Sequence, residues 1–201
     1  MPANTQLTYA EHKKCRVCGS TDLYQYLDLG QMPLSNSLSN TREEAISIDR
    51  IPLKVLLCTR CGLSQLSVVV DPSVMFSHYV YRSSINKGYV DHCKRMAKYL
   101  KEKYKLNQGS FMIDIAGNDC ALLKEFKTEI GLTVLNIDPA KNLAKICVDD
   151  TIPALCRFWG FEAAEETIDK YRKADLITAT NVFAHVDDVS QFLGACKNLL
   201  A

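Results

Sequence analysis

Residues 111–126 read FMIDIAGNDCALLKEF, and this stretch decides the fold class of the C-terminal part of the chain. A short apolar run over 111–115 is followed by the turn-forming residues AGND at 116–119 and then by apolar residues at helical spacing through Phe126. A strand, a tight loop and a helix in this order form the first part of a βαβ unit. The stretch therefore predicts an α/β domain built on parallel strands.

The same alternation continues toward the C-terminus. Further apolar runs cover 133–137, 152–158 and 176–180. The helices that follow these runs are expected from Ala140 onward, over 161–171 and over 189–200. Because strands that alternate with helices pair in parallel, the pattern predicts a four-stranded parallel sheet with helices, in a partial Rossmann-type domain over 109–201.

The N-terminal part of the chain has a different pattern. Residues 15–70 contain short strand-like runs between turns, and the first of them, at 23–29, is expected to end at Gly30. Pieces this small bury little surface and need a further source of stability. The segment FSHYVYRSSIN at 76–86 precedes a helical pattern over 89–104. We therefore expect a small domain over 1–75, a linker and helix over 76–108, and the α/β domain over 109–201.

Two CxxCG motifs stand out among the nine cysteines, CRVCG at 15–19 and CTRCG at 58–62. The CxxC spacing lets two thiolates reach one ion, and four thiolates in a tetrahedron suit Zn²⁺. We expect a structural zinc ion in a zinc-ribbon-like domain, held by Cys15, Cys18, Cys58 and Cys61. The alternatives are an iron–sulfur cluster, a pair of redox motifs or free thiols. A redox CxxC normally opens a helix, whereas strand-like sequence follows both motifs here.

Composition favours a cytoplasmic protein. No apolar run approaches the ~18 residues that a membrane helix needs, and the polar stretch 1–14 has no apolar signal region. Disulfides are rare in the cytoplasm, so the remaining cysteines, which are spread through apolar stretches, are expected to be single core residues. They are Cys93, Cys120, Cys147, Cys156 and Cys196.

Charge is divided unevenly along the chain. Residues 1–107 contain 15 Lys and Arg against 9 Asp and Glu, whereas residues 108–201 contain 9 against 14. These balances, +6 and −5, indicate two units with different roles. Because half of the chain is acidic, we expect no nucleic acid as partner. We also expect no membrane, since no apolar run is long enough to span one.

The loop at 116–119 lies where an open parallel sheet binds a nucleotide. It has one glycine, Gly117, and therefore lacks both the GxGxxG fingerprint and the phosphate-binding motif GxxxxGK[ST]. Asp138 follows Gly117 by 21 residues, at the end of the second apolar run, where an acidic residue can accept hydrogen bonds from both hydroxyl groups of a ribose. By themselves, these residues fit a nucleotide-type cofactor and a plain α/β domain equally well.

Seven motifs occur in one order along the chain: CRVCG, LDLGQMPLSNS, CTRCGLSQL, FSHYVYRSS, IDIAGNDCALLKEF, LNIDPAKNLAK and ATNVFAHVDDVSQF. Together, from about Cys15 to Leu200, they resemble the S-adenosylmethionine-dependent sugar C-methyltransferases, which act on nucleotide-linked 4-keto-deoxyhexoses. The resemblance implies a zinc-binding N-terminal domain followed by a Rossmann-type domain for S-adenosylmethionine. The family continues for roughly as many residues again, so the chain resembles its N-terminal half, and we expect little turnover from this chain alone.

The resemblance also implies site residues. It places a catalytic histidine at His185 and a catalytic tyrosine in the HYVYRSS segment, at Tyr79 or Tyr81. We expect S-adenosylmethionine to bind at Asp114, Ala116, Gly117, Asn118, Asp119, Asp138 and Asn181. A helix opening at Asp119 would offer its free N–H groups to the methionine carboxylate. Cys120 stands where the family usually has glycine, next to the methionine end of the cofactor.

Methylation of a sugar carbon requires a carbon nucleophile. A neighbouring ketone acidifies the C–H bond, a base removes the proton, and the enolate then attacks the methyl group of the cofactor. His185 suits the role of base, and a tyrosine of the 79–81 pair suits either proton transfer or donation to the enolate oxygen. Packing at a helix start, for His185, and packing within the linker, for the tyrosines, are the structural alternatives.

Two other classes of function remain open at this stage. A zinc-finger nucleic-acid methyltransferase would need an Asn/Asp-Pro-Pro-aromatic motif after the fourth strand, whereas residues 181–185 read NVFAH. A non-catalytic binding module would need only the zinc site and the cofactor site, without catalytic residues. The sequence leaves open which sugar, which carbon and which nucleotide carrier are used, and it leaves the oligomeric state open.

Overall fold

The computed structural model describes residues 7–201. The chain divides into two compact units between Met75 and Phe76. Residues 76–108, expected as a separate linker and helix, fall within the second unit. Among the described residues, no helix combines the length and the apolar character needed to cross a membrane.

The first unit is built from short antiparallel strands. Its elements in chain order are β1 (Tyr9–Glu11), β2 (Leu23–Met32), α1 (Arg42–Ser47), β3 (Ile51–Cys58), β4 (Ser64–Leu66) and β5 (Val68–Val70), and α2 (Pro72–Phe76) follows them. Strands β2, β3 and β4 form one sheet, and β1 pairs with β5. Strand β2 continues past Gly30, where the sequence predicts its end, because Gly30 adopts a left-handed φ of 73° in an irregular stretch of the β2–β3 register.

The apolar core of the first unit is small. Its buried members are Ile51, Val68 and Val70, and Leu7, Leu34 and Met75 pack against them. Strand β2 is exposed along its length after Leu23. A core of this size contributes little stability, so this unit needs a further stabilising element such as a bound metal or a covalent cross-link.

The second unit is the predicted α/β domain. Its elements are α3 (Lys87–Tyr104), β6 (Phe111–Ile115), α4 (Ala121–Ile130), β7 (Thr133–Ile137), α5 (Lys141–Asp149), β8 (Ala154–Leu155), α6 (Phe161–Lys170), β9 (Leu176–Thr178) and α7 (Val189–Leu199). All four strands run parallel in the order β8-β7-β6-β9. The expected fold class, a small cysteine-bearing N-terminal domain followed by a parallel sheet with helices, is confirmed.

Helices cover both faces of the parallel sheet. Successive residues of a strand point to opposite faces. In β6, Met112 accordingly packs in one core with residues of α3 and α4, such as Ala97 and Phe126. Phe111 and Ile113 pack in a second core with residues of α6 and α7. Strand β6 is therefore buried along its whole length, and the carboxyl ends of β6, β7 and β9 meet at one edge of the sheet.

Candidate metal centre and cofactor site

The four predicted cysteines converge within the first unit. The Sγ atoms of Cys15, Cys18, Cys58 and Cys61 all lie within 4.8 Å of one another. The sulfurs of Cys15 and Cys61 are 3.6 Å apart, and so are those of Cys18 and Cys58. Both motifs turn back on themselves at their glycines, where the Gly19 N–H donates to the Cys15 carbonyl and the Gly62 N–H to the Cys58 carbonyl.

This arrangement fits a tetrahedral zinc ion. Zn–S bonds of ~2.3 Å place the sulfurs of a tetrahedron about 3.8 Å apart, close to the 3.6 Å seen here. Burial disfavours the charged form of Cys15, but N–H groups of Cys18 and Val17 donate to its sulfur, and the net result lowers its pKa to about 6. The Leu63 N–H favours the charged form of Cys61, but desolvation and the neighbouring sulfurs raise the pKa of Cys61 to about 12. Soft sulfur ligands such as these four suit zinc.

Gln65 supports the first cysteine motif and was not anticipated from the sequence. Its buried side chain accepts a hydrogen bond from the Arg16 N–H at 3.0 Å and donates one to the Lys14 carbonyl at 3.1 Å. Because Gln65 lies in β4, these bonds fix the motif to the sheet. A polar residue in the middle of the strand-like stretch 63–70 was the signal available in the sequence.

The loop at 116–120 takes an unusual backbone path after β6. Ala116, Asn118 and Cys120 all have positive φ angles, between 51° and 63°. Gly117 lies over two buried side chains, and a Cβ atom there would come within 2.7 Å of both Asn136 Oδ1 and Asp114 Oδ2. The single glycine of the motif is therefore required by close approach of the backbone to the strand ends.

Asn136 supports this loop from the buried side and was not anticipated from the sequence. Its side chain is fully buried in β7, accepts from the Gly117 N–H at 3.1 Å and donates to the Asn118 carbonyl at 3.3 Å. An amide inside the otherwise apolar run 133–137 marks a position where a buried polar group must find partners.

Asp138 directly follows β7 beside the loop, as the sequence predicts. Its Oδ2 accepts from the Asn118 N–H at 3.0 Å, and its Oδ1 accepts from the Ala140 N–H at 2.8 Å. Burial raises the pKa of this carboxyl, while the two N–H groups oppose the shift. The spacing of 21 residues from Gly117 therefore brings the carboxylate into direct contact with the loop, and its role toward a ribose stays a prediction.

Asp114 is the buried acid of β6. Burial raises its pKa to about 7, against the hydrogen bond that Thr178 Oγ1 donates to its Oδ1 at 2.7 Å. The carboxyl lies beneath Gly117 rather than on the open side of the loop. It supports the loop from the sheet, and a direct contact with a cofactor stays a prediction.

We expect the buried acid Asp114 to make stability depend on pH. An acid whose pKa rises on folding binds its proton more tightly in the folded state. Its contribution to the free energy of unfolding therefore falls as pH rises from about 4 to about 7. Between pH 5 and pH 8, the free energy of unfolding of the parent, measured by urea denaturation, should fall by on the order of 2–4 kcal/mol more than that of Asp114→Asn. This range follows from ~1.4 kcal/mol per pKa unit. Parallel pH profiles for the two proteins would contradict a raised pKa at Asp114.

The start of α4 differs from the expectation. The helix begins at Ala121 instead of Asp119, because the left-handed residues Asn118 and Cys120 interrupt helical geometry before it. The Asp119 carboxylate is fully buried, accepts from the N–H and Oγ of Ser84 and faces Arg82 Nε at 3.5 Å. The first free N–H groups of the helix thus lie two residues later than predicted, and Asp119 as a cofactor ligand stays a prediction.

Two of the supposed single cysteines are joined in a disulfide. Cys120 and Cys147 are bonded, with Cα atoms 5.8 Å apart, so the expectation of separate core thiols at these positions is wrong. Both residues are fully buried. The Cys120 sulfur is thereby tied to Cys147 in α5.

The predicted catalytic residues lie near one aromatic side chain. His185 is exposed in a short 3₁₀ turn, Phe183–His185, and its ring centroid lies 6.2 Å from that of Phe76. Tyr79 is half-buried, and its ring centroid lies 6.1 Å from that of Phe76. The structure thus brings His185 and Tyr79 to the same phenylalanine.

The other two predicted site residues of this region are exposed. Tyr81 is 49% exposed, and its carbonyl accepts a hydrogen bond from Asn118 Nδ2. Asn181 follows β9 with a left-handed φ of 57°. The catalytic role of Tyr81 and the cofactor contact of Asn181 stay predictions.

Comparison with known proteins yields matches in both halves of the chain. Residues 15–76 match a sequence family described as "Putative zinc binding domain". The chain is 33% identical over 193 residues to the C-methyltransferase NovU of Streptomyces niveus, which covers 94% of this chain and 44% of the relative. It is 34% identical over 109 residues to a ubiquinone biosynthesis O-methyltransferase of Rhodopseudomonas palustris (strain BisB5), over 54% of this chain and 42% of the relative.

Solved structures also resemble the chain. One is the plantazolicin methyltransferase BamL in complex with a triazolic desmethylPZN analog and SAH, with a TM-score of 0.46 and 15% identity over 57% of this chain and 44% of that one. Another is the magnesium protoporphyrin IX methyltransferase ChlM from Synechocystis PCC 6803 with bound SAM, with a TM-score of 0.44 and 12% identity over 56% and 55%.

The chain spans less than half the length of the curated relatives it matches. Over nearly all of its own length it is similar to a C-methyltransferase, and its first unit matches a zinc-binding sequence family. The predicted resemblance to zinc-containing C-methyltransferases is thereby confirmed.

Proposed function

We propose that this protein is an S-adenosylmethionine-dependent C-methyltransferase that acts on a nucleotide-linked 4-keto-deoxysugar. The observation that carries the proposal is the packing of the Gly117 loop against Asp138 at the carboxyl edge of a parallel sheet, where such sheets bind nucleotide-type ligands. The similarity to the C-methyltransferase NovU supports C-methylation. Since the chain covers 44% of that relative, the activity of the whole protein is part of the proposal.

The residues around the loop have the chemistry that S-adenosylmethionine needs. Each oxygen of Asp138 accepts one backbone N–H and retains a second lone pair for a ribose hydroxyl. Residues 116–118 are partly exposed, whereas Asp119 and Cys120 are buried, so the loop would meet a ligand through residues 116–118. When bound there, the cofactor supplies a methyl group on a positively charged sulfur.

His185 and a tyrosine would handle the sugar. His185 would take the proton from the carbon next to the ketone, because histidine is the commonest general base and this side chain is open to solvent. The Tyr79 hydroxyl would donate to the oxygen on which the enolate charge develops, which stabilises that charge. Phe76, which both rings approach, would exclude water from one side of this pair.

Exchange of the acidic sugar proton with deuterated solvent tests these roles without the cofactor. With a nucleotide-linked 4-keto-deoxyhexose and the 201-residue protein, we expect His185→Ala to slow exchange by about 10²-fold or more, the usual contribution of a positioned base. Tyr79→Phe should slow it less if the phenol only donates a hydrogen bond. NMR loss of the proton signal gives the rate in each case.

The control is His92→Ala, since His92 lies on an exposed part of α3 and should leave the rate unchanged. Full exchange in both His185→Ala and the double variant Tyr79→Phe, Tyr81→Phe would remove the support for these catalytic residues. Absence of exchange in the parent, together with no calorimetric binding of S-adenosylhomocysteine, would refute the proposed function for this chain.

A further inference from the structure

We propose that Asn118 and Asn142 are positioning residues that fasten residues 79–84, here termed the strap, to the cofactor loop and to α5. The strap reads YVYRSS and carries Tyr79 and Tyr81. This inference rests on the proposed function, because it gives those tyrosines a task at the sugar. The two asparagines act through the backbone of the strap and not by contact with the sugar.

Asn142 brackets the backbone of Tyr79. Its Oδ1 accepts from the Tyr79 N–H at 3.1 Å, and its Nδ2 donates to the Tyr79 carbonyl at 2.7 Å. One side chain therefore satisfies both polar groups of one residue, which fixes the residue in position and orientation. Asn142 lies in the first turn of α5, four residues after Asp138, and the neighbouring Lys141 N–H donates to the Ser77 carbonyl.

Asn118 holds the strap from the cofactor loop. Its Oδ1 accepts from the Ser83 N–H at 3.0 Å, and its Nδ2 donates to the Tyr81 carbonyl at 3.1 Å. The backbone N–H of the same residue donates to Asp138 Oδ2 at 3.0 Å. Asn118 thus joins the proposed ribose acceptor to the strap through its own backbone and side chain.

Asp119 completes the attachment at the far end of the strap. Its buried carboxylate accepts from the Ser84 N–H and hydroxyl, next to the pair held by Asn118. The strap is therefore bonded at Tyr79, at Tyr81 and at both serines, by side chains that lie 35 to 63 residues away in the sequence. A partly exposed segment with so many polar attachments is held for its position rather than for its packing.

The attachment sites of the strap coincide with the proposed cofactor contacts. A ligand that fixes the loop and Asp138 would also fix Asn118, and hence the strap. By the reciprocity of linked equilibria, a fastened strap would in turn favour the ligand. Binding of the cofactor would thus hold Tyr79 and Tyr81 in position for the sugar.

Amide hydrogen exchange measured by NMR on the 201-residue protein tests the attachment directly. Without ligand, Asn142→Ala should speed exchange of the Tyr79 amide at least tenfold, and Asn118→Ala should do the same for Ser83. The matched control is Asn86→Ala, which removes the same kind of bond, from the Tyr89 N–H at the start of α3, beside the strap. S-adenosylhomocysteine should slow strap exchange in the parent and in Asn86→Ala, and much less in Asn118→Ala.

The outcomes separate the two proposals. Unchanged amide exchange in Asn142→Ala and Asn118→Ala overturns the positioning role whether or not any ligand binds. Failure of S-adenosylhomocysteine to bind the parent overturns the proposed function, and the coupling with it, while the ligand-free exchange still decides the attachment. Equal slowing of strap exchange by the ligand in the parent and in Asn118→Ala overturns the coupling alone.

A double-mutant cycle separates positioning from general stabilisation. If Asn142 acts through the Tyr79 phenol, Asn142→Ala should slow sugar-proton exchange in the parent about tenfold and have no further effect in the Tyr79→Phe background. Equal slowing in both backgrounds would mean that Asn142 stabilises the fold in general, and it would overturn the positioning role.

Discussion

Replacing any one of the four clustered cysteines by serine is expected to release the metal and unfold the first unit. Three remaining ligands bind zinc far more weakly, and binding free energies of ~10–16 kcal/mol for structural zinc are also folding free energies. The few buried apolar residues of this unit, Ile51, Val68 and Val70, cannot replace that contribution. Elemental analysis should give one zinc per parent chain and little or none in Cys15→Ser or Cys58→Ser.

Cys156→Ser is the matched control, because Cys156 is an exposed cysteine of the second unit that takes no part in a disulfide. It should retain the zinc and the stability of the parent. Limited proteolysis should cut the first unit rapidly in the zinc-free variants while residues beyond Phe76 persist. A parent that contains iron or no metal would refute the zinc assignment, and a Cys15→Ser protein with full zinc and parental stability would do the same.

Asp138→Ala should weaken the binding of S-adenosylhomocysteine by roughly 5- to 150-fold. This range corresponds to about 1–3 kcal/mol, the usual cost of losing hydrogen bonds to a charged group. The substitution removes the proposed ribose acceptor and also frees the N–H groups of Asn118 and Ala140. Calorimetry gives the affinity, and Asp138→Asn, which retains one carbonyl oxygen, should fall between the alanine variant and the parent.

Asp150→Ala provides the control for Asp138. Asp150 is an exposed carboxylate that pairs with Lys124 at 2.7 Å, and its loss should leave the affinity unchanged. Because burial raises the pKa of Asp138, binding should also weaken as pH falls and the carboxyl takes up a proton. Equal affinities of Asp138→Ala and the parent would rule out this carboxylate as a contact.

The regular part of the α/β unit could be predicted because its signals are local. The runs at 111–115 and 133–137 match β6 and β7 residue for residue, since short, mostly apolar runs bounded by turn residues are the length of a buried strand. The run at 152–158 shrinks to the two residues of β8, because an edge strand pairs on one side only. Short β1 and α1 in the first unit gave no periodic signal.

The polar framework of the site could not be predicted in the same way. Asn142 brackets a backbone 63 residues away, and Gln65 reaches a motif about 50 residues earlier, so neither bond leaves a trace in local sequence. The Cys120–Cys147 bond depends on the register of two helices against one sheet. By contrast, the cysteine cluster was predictable, because the CxxC spacing by itself lets two thiolates reach one ion.

The parallel strand order also determines when the site is completed during synthesis. Strand β6 can pair with β7 as soon as residue 137 has emerged, but its other neighbour, β9, follows only after residue 176. The bond from Thr178 to Asp114 spans 64 residues of chain. A nascent chain between these points would leave one edge of β6 open to pairing with other chains, and an unpaired strand edge favours aggregation.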